Sequence, residues 1–381
     1  MHRNFSFFVT VIVLIFGIQI SCIAAPSDEG HLFPVKRGTL AGFIDIKGDV
    51  IIPLQYAEVS EFSEGMAAAQ DVESGKWGYI ERTGTFIIPP QFSIAGIFSE
   101  GLAGVRFEDS DGWYIDRSGE KVIQGWYGGK VQDGLAPIRK QGKTIIADKN
   151  GNELFEVPGE AWPVNGGLIA FMKNGRMCFV DHQGIVVIQP IYHCDVNWRD
   201  QQFEEKITPV SKPMPTGKAK FGFIDIGGKT MVDFHYDWAE QFFDGLAMVA
   251  KDGKYGYINT NGELAIPLQF DEANHFSEGL AAVEINDRWG FIDTKGKFGI
   301  GAQYLSRIWG SPMIFSEGLA AVRTETGTGF INKSGEMVVS AVYSSAGDFA
   351  DGLARVGSLG HPSYVNGYGE VVWSPTIPGI N

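Results

Sequence analysis

Seven acidic residues stand directly before a turn glycine at a recurring place in the chain: Glu64, Glu100, Asp133, Asp244, Glu278, Glu317 and Asp351. Stacked in register, they would make a row of negative charge able to bind cations or a basic partner. The competing reading is that each carboxylate accepts backbone N–H groups at its own turn. The nine tryptophans offer a second chemistry, since an exposed indole face stacks on sugars. At a regular strand position core packing is the default, but Trp126, Trp162, Trp198, Trp238 and Trp309 fall off that register. Of these, Trp162, Trp198 and Trp309 lie in the less regular connections, where loop function concentrates. They are the candidate ligand-binding residues.

Other reactive groups form weaker patterns. Cys178 and Cys194 either pair as a disulfide in an exported chain or are two small buried hydrophobes. Glu108-Asp109-Ser110-Asp111-Gly112, with Asp116 nearby, loosely resembles a calcium loop but lacks the spacing and the closing bidentate Glu. His31, His182, His193, His235, His275 and His361 make no pair at metal-ligand spacing. His193-Cys194-Asp195 mimics a nucleophile cluster, yet adjacent strand residues point to opposite faces. There is no G-x-S-x-G elbow, P-loop or H-E-x-x-H. The expectation is a chain with no catalytic residue, no metal and no cofactor.

The elements that position these groups are repeats. Units start at Leu32, Met66, Leu102, Leu135, Leu168, Ile207, Leu246, Leu280, Leu319 and Leu353, a mean period of about 36 residues. In the clearest copy, Phe276-Ser277-Glu278-Gly279 opens onto Leu280–Val283, whose alternation predicts a half-buried strand. Arg288–Asp293 follows, with Trp289, Phe291 and Asp293 on one face and Gly290 and Ile292 on the other. Glycine turns such as Lys295-Gly296 demand antiparallel hairpins. The third strand is β-branched and often meets a proline, as at Pro53, Pro89 and Pro267, expected to end it or mark an edge. A last segment, leading to Phe62, Phe98 or Phe276, is a candidate fourth strand. No segment past the N-terminal leader has a sustained 3.6-residue period, so the chain is expected to be all-β.

Lys76-Trp77-Gly78-Tyr79-Ile80, Arg288-Trp289-Gly290-Phe291-Ile292-Asp293 and Lys254-Tyr255-Gly256-Tyr257-Ile258-Asn259 resemble the WG-repeat family, also called KWG repeats. The resemblance runs from about residue 32 to 373, with Trp-Gly in phase with Glu-Gly-Leu-Ala. Trp113-Tyr114, Thr144-Ile145, Met177-Cys178 and Pro362-Ser363 depart from it. It implies a β-rich interaction repeat, found mainly in bacteria, with no catalytic residues to carry over.

Ten units exceed the four to eight blades of a usual propeller, and no spare terminal strand remains to sew a ring shut. An open solenoid-like superhelix is therefore expected; the alternative is a propeller-like arrangement, including two five-unit lobes. Residues 32–206 hold repeats one to five, 207–373 repeats six to ten, and 374–381 a tail. Residues 1–24 read as a signal peptide: Arg3, an apolar run from Phe5 to Ile20, then small residues. Lipidation at Cys22 and an uncleaved N-terminal anchor are its alternatives. The formal charge of −14 argues against nucleic acid and anionic lipid surfaces. The expected function is a non-enzymatic protein exported to the periplasm, cell surface or medium, presenting a repeat surface to a protein or glycan. A carbohydrate-active enzyme drawing acidic residues from separate repeats, and a structural spacer, are the alternatives.

Overall fold

A computed structural model describes residues 30–108, 112–126, 128–141, 143–164, 167–193, 206–215, 217–306, 313–357 and 362–375. The leader over 1–24, with Cys22, lies outside them. His31–Asn381 form one compact unit. Among the described residues every named element is a strand, and every pairing is antiparallel. Each of the ten expected starting points opens or directly precedes a strand, from Phe33–Arg37 to Leu353–Val356.

Unit eight shows how the sequence makes the repeat. Leu280–Ile285 and Arg288–Asp293 form a hairpin closed by Asn286 and Asp287, both left-handed at φ 52° and 58°. Two such residues give the turn the twist its strands need. The Asp293 carboxylate then accepts the N–H groups of Lys295 and Lys297, both at 2.9 Å, and folds the next turn around Gly296. In the third strand, Phe298–Tyr304, Ile300 pairs with Phe291 and Tyr304 with Trp289, so three residues bulge opposite Gly290. A Cβ on Gly290 would sit 2.6 Å from the Ile300 carbonyl oxygen. The glycine of Trp-Gly is thus required by the bulge. Pro53, Pro89 and Pro267 occupy the same bulge, where no ladder N–H is lost, and the strand continues past each to Tyr56, Phe92 and Phe270. They do not end the strand as expected.

Two further expectations are corrected. The last segment of a sequence repeat joins the following sheet: Glu58–Val59 pairs with Ala67–Gln70, and Ile94–Ser99 with Leu102–Arg106. The first strands are buried on both faces, not one, because each sheet is sandwiched between its neighbours. Ala67 and Ala69 of unit two meet Phe43 and Tyr56 of unit one, whereas Met66 and Ala68 turn to Phe98 and Val105 of unit three. The same sharing recurs along the row at every later junction. Stability is a sum of such nearest-neighbour interfaces.

A tenth shared cluster joins the ends: Leu353, Tyr364 and Trp373 of unit ten pack with Phe33, Val35 and Ile44 of unit one. The Arg37 guanidinium lies 5.8 Å from the Trp373 ring centre, and His31 pairs with Asp351 at 3.2 Å. The ten-unit array is as expected, but its ends meet, which corrects the open superhelix in favour of the propeller-like alternative. Closure needs no shared strand: units one and ten each keep a three-stranded sheet, and side-chain packing joins them. Among the described residues no hydrogen-bonded sheet closes into a barrel. Units five and six share one seven-stranded sheet through the His193–Ser211 pairing, so the midpoint is bridged.

Candidate functional site

The Phe-Ser-Glu-Gly element proves to be a clasp between units. The phenylalanine enters the core, as Phe276 does at 1% exposure. The serine hydroxyl donates to the carbonyl of the next unit's phenylalanine: Ser63 to Phe98, Ser277 to Phe315 and Ser316 to Phe349, each at 2.7 Å. The acidic residue adopts φ between 51° and 54° at all seven positions. Its carboxylate accepts the N–H of the next unit's turn glycine: Gly101 to Glu64, Gly134 to Glu100, Gly279 to Asp244, Gly318 to Glu278 and Gly352 to Glu317. Asp351 meets His31 across the closing junction. For Asp133 the facing turn lies partly outside the described residues.

The carboxylates therefore do line up, but they are bound across the junction, not at their own turns as expected. Basic side chains of the next unit neutralise three of them: Arg117 at Glu64, Lys149 at Glu100 and Lys333 at Glu278. Desolvation works against the Glu278 carboxylate, yet Lys333 and the Gly318 N–H outweigh it and hold its pKa below the ordinary value. This row is scaffold. Asp116 of the loose calcium motif caps its own hairpin by accepting the Ser118 and Glu120 N–H groups, and Glu108 pairs with Lys76. Asp109 to Asp111 lie outside the described residues.

Trp162, in the strand Ala161–Val164 that leads unit five, is half-buried against the cluster joining units five and six. Trp198 and Trp309 lie outside the described residues, so no grouping of the three is described. Trp126 is 8% exposed and donates its indole N–H to the Gly129 carbonyl at 2.7 Å. Trp238 packs on Phe221 with ring centres 5.3 Å apart. Cys178 is buried, and Cys194, its candidate partner, lies outside the described residues.

A titratable pair sits between units seven and eight. Glu240 and the His275 Nδ1 approach to 4.0 Å, with Phe243 stacked on the imidazole at 4.3 Å. Burial raises the Glu240 pKa and lowers that of His275, so each resists its charged form.

A cleft of about 720 Å³ lies between units three and four. It is within the range of small-ligand sites. Arg106, Arg139 and Lys140 supply three cations, and Glu153, the one lining carboxylate among the described residues, is held by Lys140 at 2.5 Å. Gln124, Gln141 and Asn150 add amides. Two local departures accompany it. Unit four has a three-stranded sheet, with only the Gln132–Leu135 bridge in place of a leading strand. Unit three inverts Trp-Gly to Gly112-Trp113, and its third strand ends Gln124-Gly125-Trp126 without the proline-bearing bulge. Gly125, at φ +110°, presses so close that a Cβ would meet the Arg139 carbonyl at 2.7 Å. Sequence reasoning passed over these cations. The signal was there: Arg106 and Arg139 hold the same register position in successive first strands, four residues after Leu102 and Leu135.

The architecture defines an all-β, propeller-like repeat protein held together by junctions between like units. Six segments, residues 42–71, 77–109, 221–255, 255–289, 289–304 and 329–357, match the family model for the WG containing repeat. The chain belongs to the WG-repeat family. Segments between 110 and 220, which include the cleft's unit four, are not matched. A crystal structure of a eukaryotic initiation factor is similar at TM-score 0.55 and 10% identity, over 91% of this chain and 96% of that one. BamB from Moraxella catarrhalis aligns at TM-score 0.35 and 11% identity, over 85% and 96%. At these identities the first likeness concerns the fold alone. No curated protein matches the chain.

Proposed function

We propose that this chain is an exported, non-enzymatic binding protein of the bacterial envelope that presents its repeat array to a protein or glycan. The observation that carries the reading is how the polar groups are used. The regular motif residues are consumed in turns and junction clasps, while the irregular region between units three and four holds an open, charged cleft. The leader-like segment at residues 1–24 supports export, and Arg3 with the apolar run to Ile20 is the feature on which it rests.

The cleft also weighs against the enzyme reading. Glycoside hydrolysis uses two carboxyl groups flanking the bond, and among the described residues the cleft lining has Glu153 alone, bound to Lys140. The test combines fractionation with an assay. Expressed in a bacterial host, the chain should leave the cytoplasm and begin after Ala24 on N-terminal sequencing. Purified protein should capture a component of envelope extract without degrading it. Hydrolysis of envelope glycan or peptide, abolished by one Asp or Glu substitution, would sink the non-enzymatic reading.

A further inference from the structure

We propose that residues 376–381 add a fourth strand to unit one and so latch the ring with a strand ladder. The first observation is an open edge. Among the described residues, the first strand of every other unit meets a strand or a bridge on its leading side. Phe33–Arg37 of unit one pairs with Leu40–Ile44 alone. An unpaired edge of this kind is a template for another strand.

The second observation is register. A leading strand is made by residues that follow the third strand of the unit before it, and unit ten stands before unit one at the seam. Trp373 pairs with Tyr364 as Ile52 pairs with Phe43. Six and seven positions after Ile52 stand Glu58 and Val59, which pair with Gln70 and Ala69 of unit two. Six and seven positions after Trp373 stand Gly379 and Ile380, and unit one has Lys36 and Val35 in the places of Gln70 and Ala69. The described chain already heads there. Ser374 is 4% exposed, and the Arg37 guanidinium donates to its carbonyl at 3.4 Å.

The third is side-chain chemistry. Leading segments set Val59, Ala95, Ala161, Ala239, Ala273 and Ala346 opposite the fourth position of their first strands. Ile380 continues that apolar series opposite Val35. It would cover the seam cluster of Phe33, Val35 and Trp373, which among the described residues has no leading-strand member, as Val59 covers Phe43 and Ala69. Asn381 stands where Ser60 donates its N–H to the Ala68 carbonyl at 2.9 Å, and the Pro34 carbonyl is the counterpart. Pro34 removes no ladder donor, because the Ala68 N–H goes to the Ser60 hydroxyl instead. Pro378 falls at the start of the strand, where a missing N–H is tolerated. The N-terminal side offers Ala24 and Ala25 at the matching positions ahead of Leu32. Cleavage after Ala24, part of the function proposed above, would separate them.

The experiment is cross-linking of Val35→Cys/Ile380→Cys with copper phenanthroline, read by tryptic mass spectrometry, beside a chain stopped after Pro375. Directly opposite strand residues lie within disulfide reach. The pair should therefore link within one molecule, and Val35→Cys/Thr376→Cys should not. In the truncated chain the amides of Phe33–Arg37 should exchange with solvent about tenfold faster, while those of Leu280–Ile285 stay unchanged. Deleting residues 25–29 should leave Phe33–Arg37 as protected as before. Failure to link in a folded chain, linkage only between two molecules, or unchanged protection after truncation would each overturn the latch. Protection lost on deleting 25–29 instead would assign the edge to the N-terminal segment. Failure of export would leave the cross-link untouched, so the two proposals fail separately.

Discussion

The Tyr364 hydroxyl donates to the Pro34 carbonyl at 2.8 Å, joining residues 330 positions apart in the chain. The same bond recurs between neighbouring units, from Tyr79 to Gly96 and from Tyr257 to Asn274, both at 2.7 Å. Unit ten thus treats unit one as its successor.

Closure by packing predicts where damage will be felt. Trp373 is 1% exposed at this seam, so Trp373→Ala should cost about 3–5 kcal/mol, and Tyr364→Phe about 1 kcal/mol. Urea denaturation gives the magnitudes. Hydrogen exchange should show lost protection in Phe33–Arg37 and in Leu353–Val356 together; protection lost in unit ten alone would contradict the seam.

The bulge makes a sharp claim about two glycines eleven positions apart. Gly290→Ala drives a methyl into the Ile300 carbonyl and should destabilise by about 1–3 kcal/mol. Gly301 has nothing within 4 Å of its Cβ position, so Gly301→Ala should be neutral or stabilise by up to about 1 kcal/mol. Equal denaturation midpoints for the two variants would refute the bulge as the reason for Trp-Gly.

Acid should loosen the clasps and turn caps. Asp116 is held below the ordinary value by Ser118, Asp148 by Asn152 and Asp293 by the Lys297 N–H, and Glu278 by Lys333 and Gly318 against its desolvation. A carboxylate with a lowered folded pKa stabilises above its unfolded pKa and loses that contribution as pH falls through the folded one. Melting temperature should therefore decline as pH drops below the ordinary values of 4.5 and 3.8. Glu278→Gln keeps an acceptor for Gly318 but removes the charge, so it should lower stability at pH 7 and flatten the acid limb.

Glu240 has the opposite sign. Burial raises its pKa, so its contribution is full below the ordinary 4.5 and is lost as pH rises through the folded value. Glu240→Gln should raise the melting temperature at pH 7 to 8, with the gain vanishing at pH 4. His275, lowered by burial, loses stability as pH falls below 6.5, and His275→Gln should remove that limb alone. A pH-independent effect of Glu240→Gln would show that burial of its charge is not what the substitution relieves.

Local chemistry was legible in the sequence because it is local. A turn needs its positive-φ residue within two or three positions, and a strand declares its faces by alternation, so the ten starts, the glycine turns and the opposed faces of Trp289 and Ile292 could be read directly. The clasp was half-legible: Glu278 beside Gly279 marks a turn, but nothing nearby says that its acceptor oxygens reach Gly318, 40 residues on. Trp162 looked like a loop tryptophan and is half-buried, because the following sheet recruits its segment as a leading strand.

What the sequence alone determined is the unit: its strands, turns and apolar faces, all set by interactions within about 36 residues. Tertiary structure decided how the units add up. A small rotation at each junction, accumulated ten times, brings Trp373 to Phe33, and no single unit encodes that sum. The same is true of the cleft: Arg106 and Arg139 are ordinary strand residues until two neighbouring sheets set them around one opening.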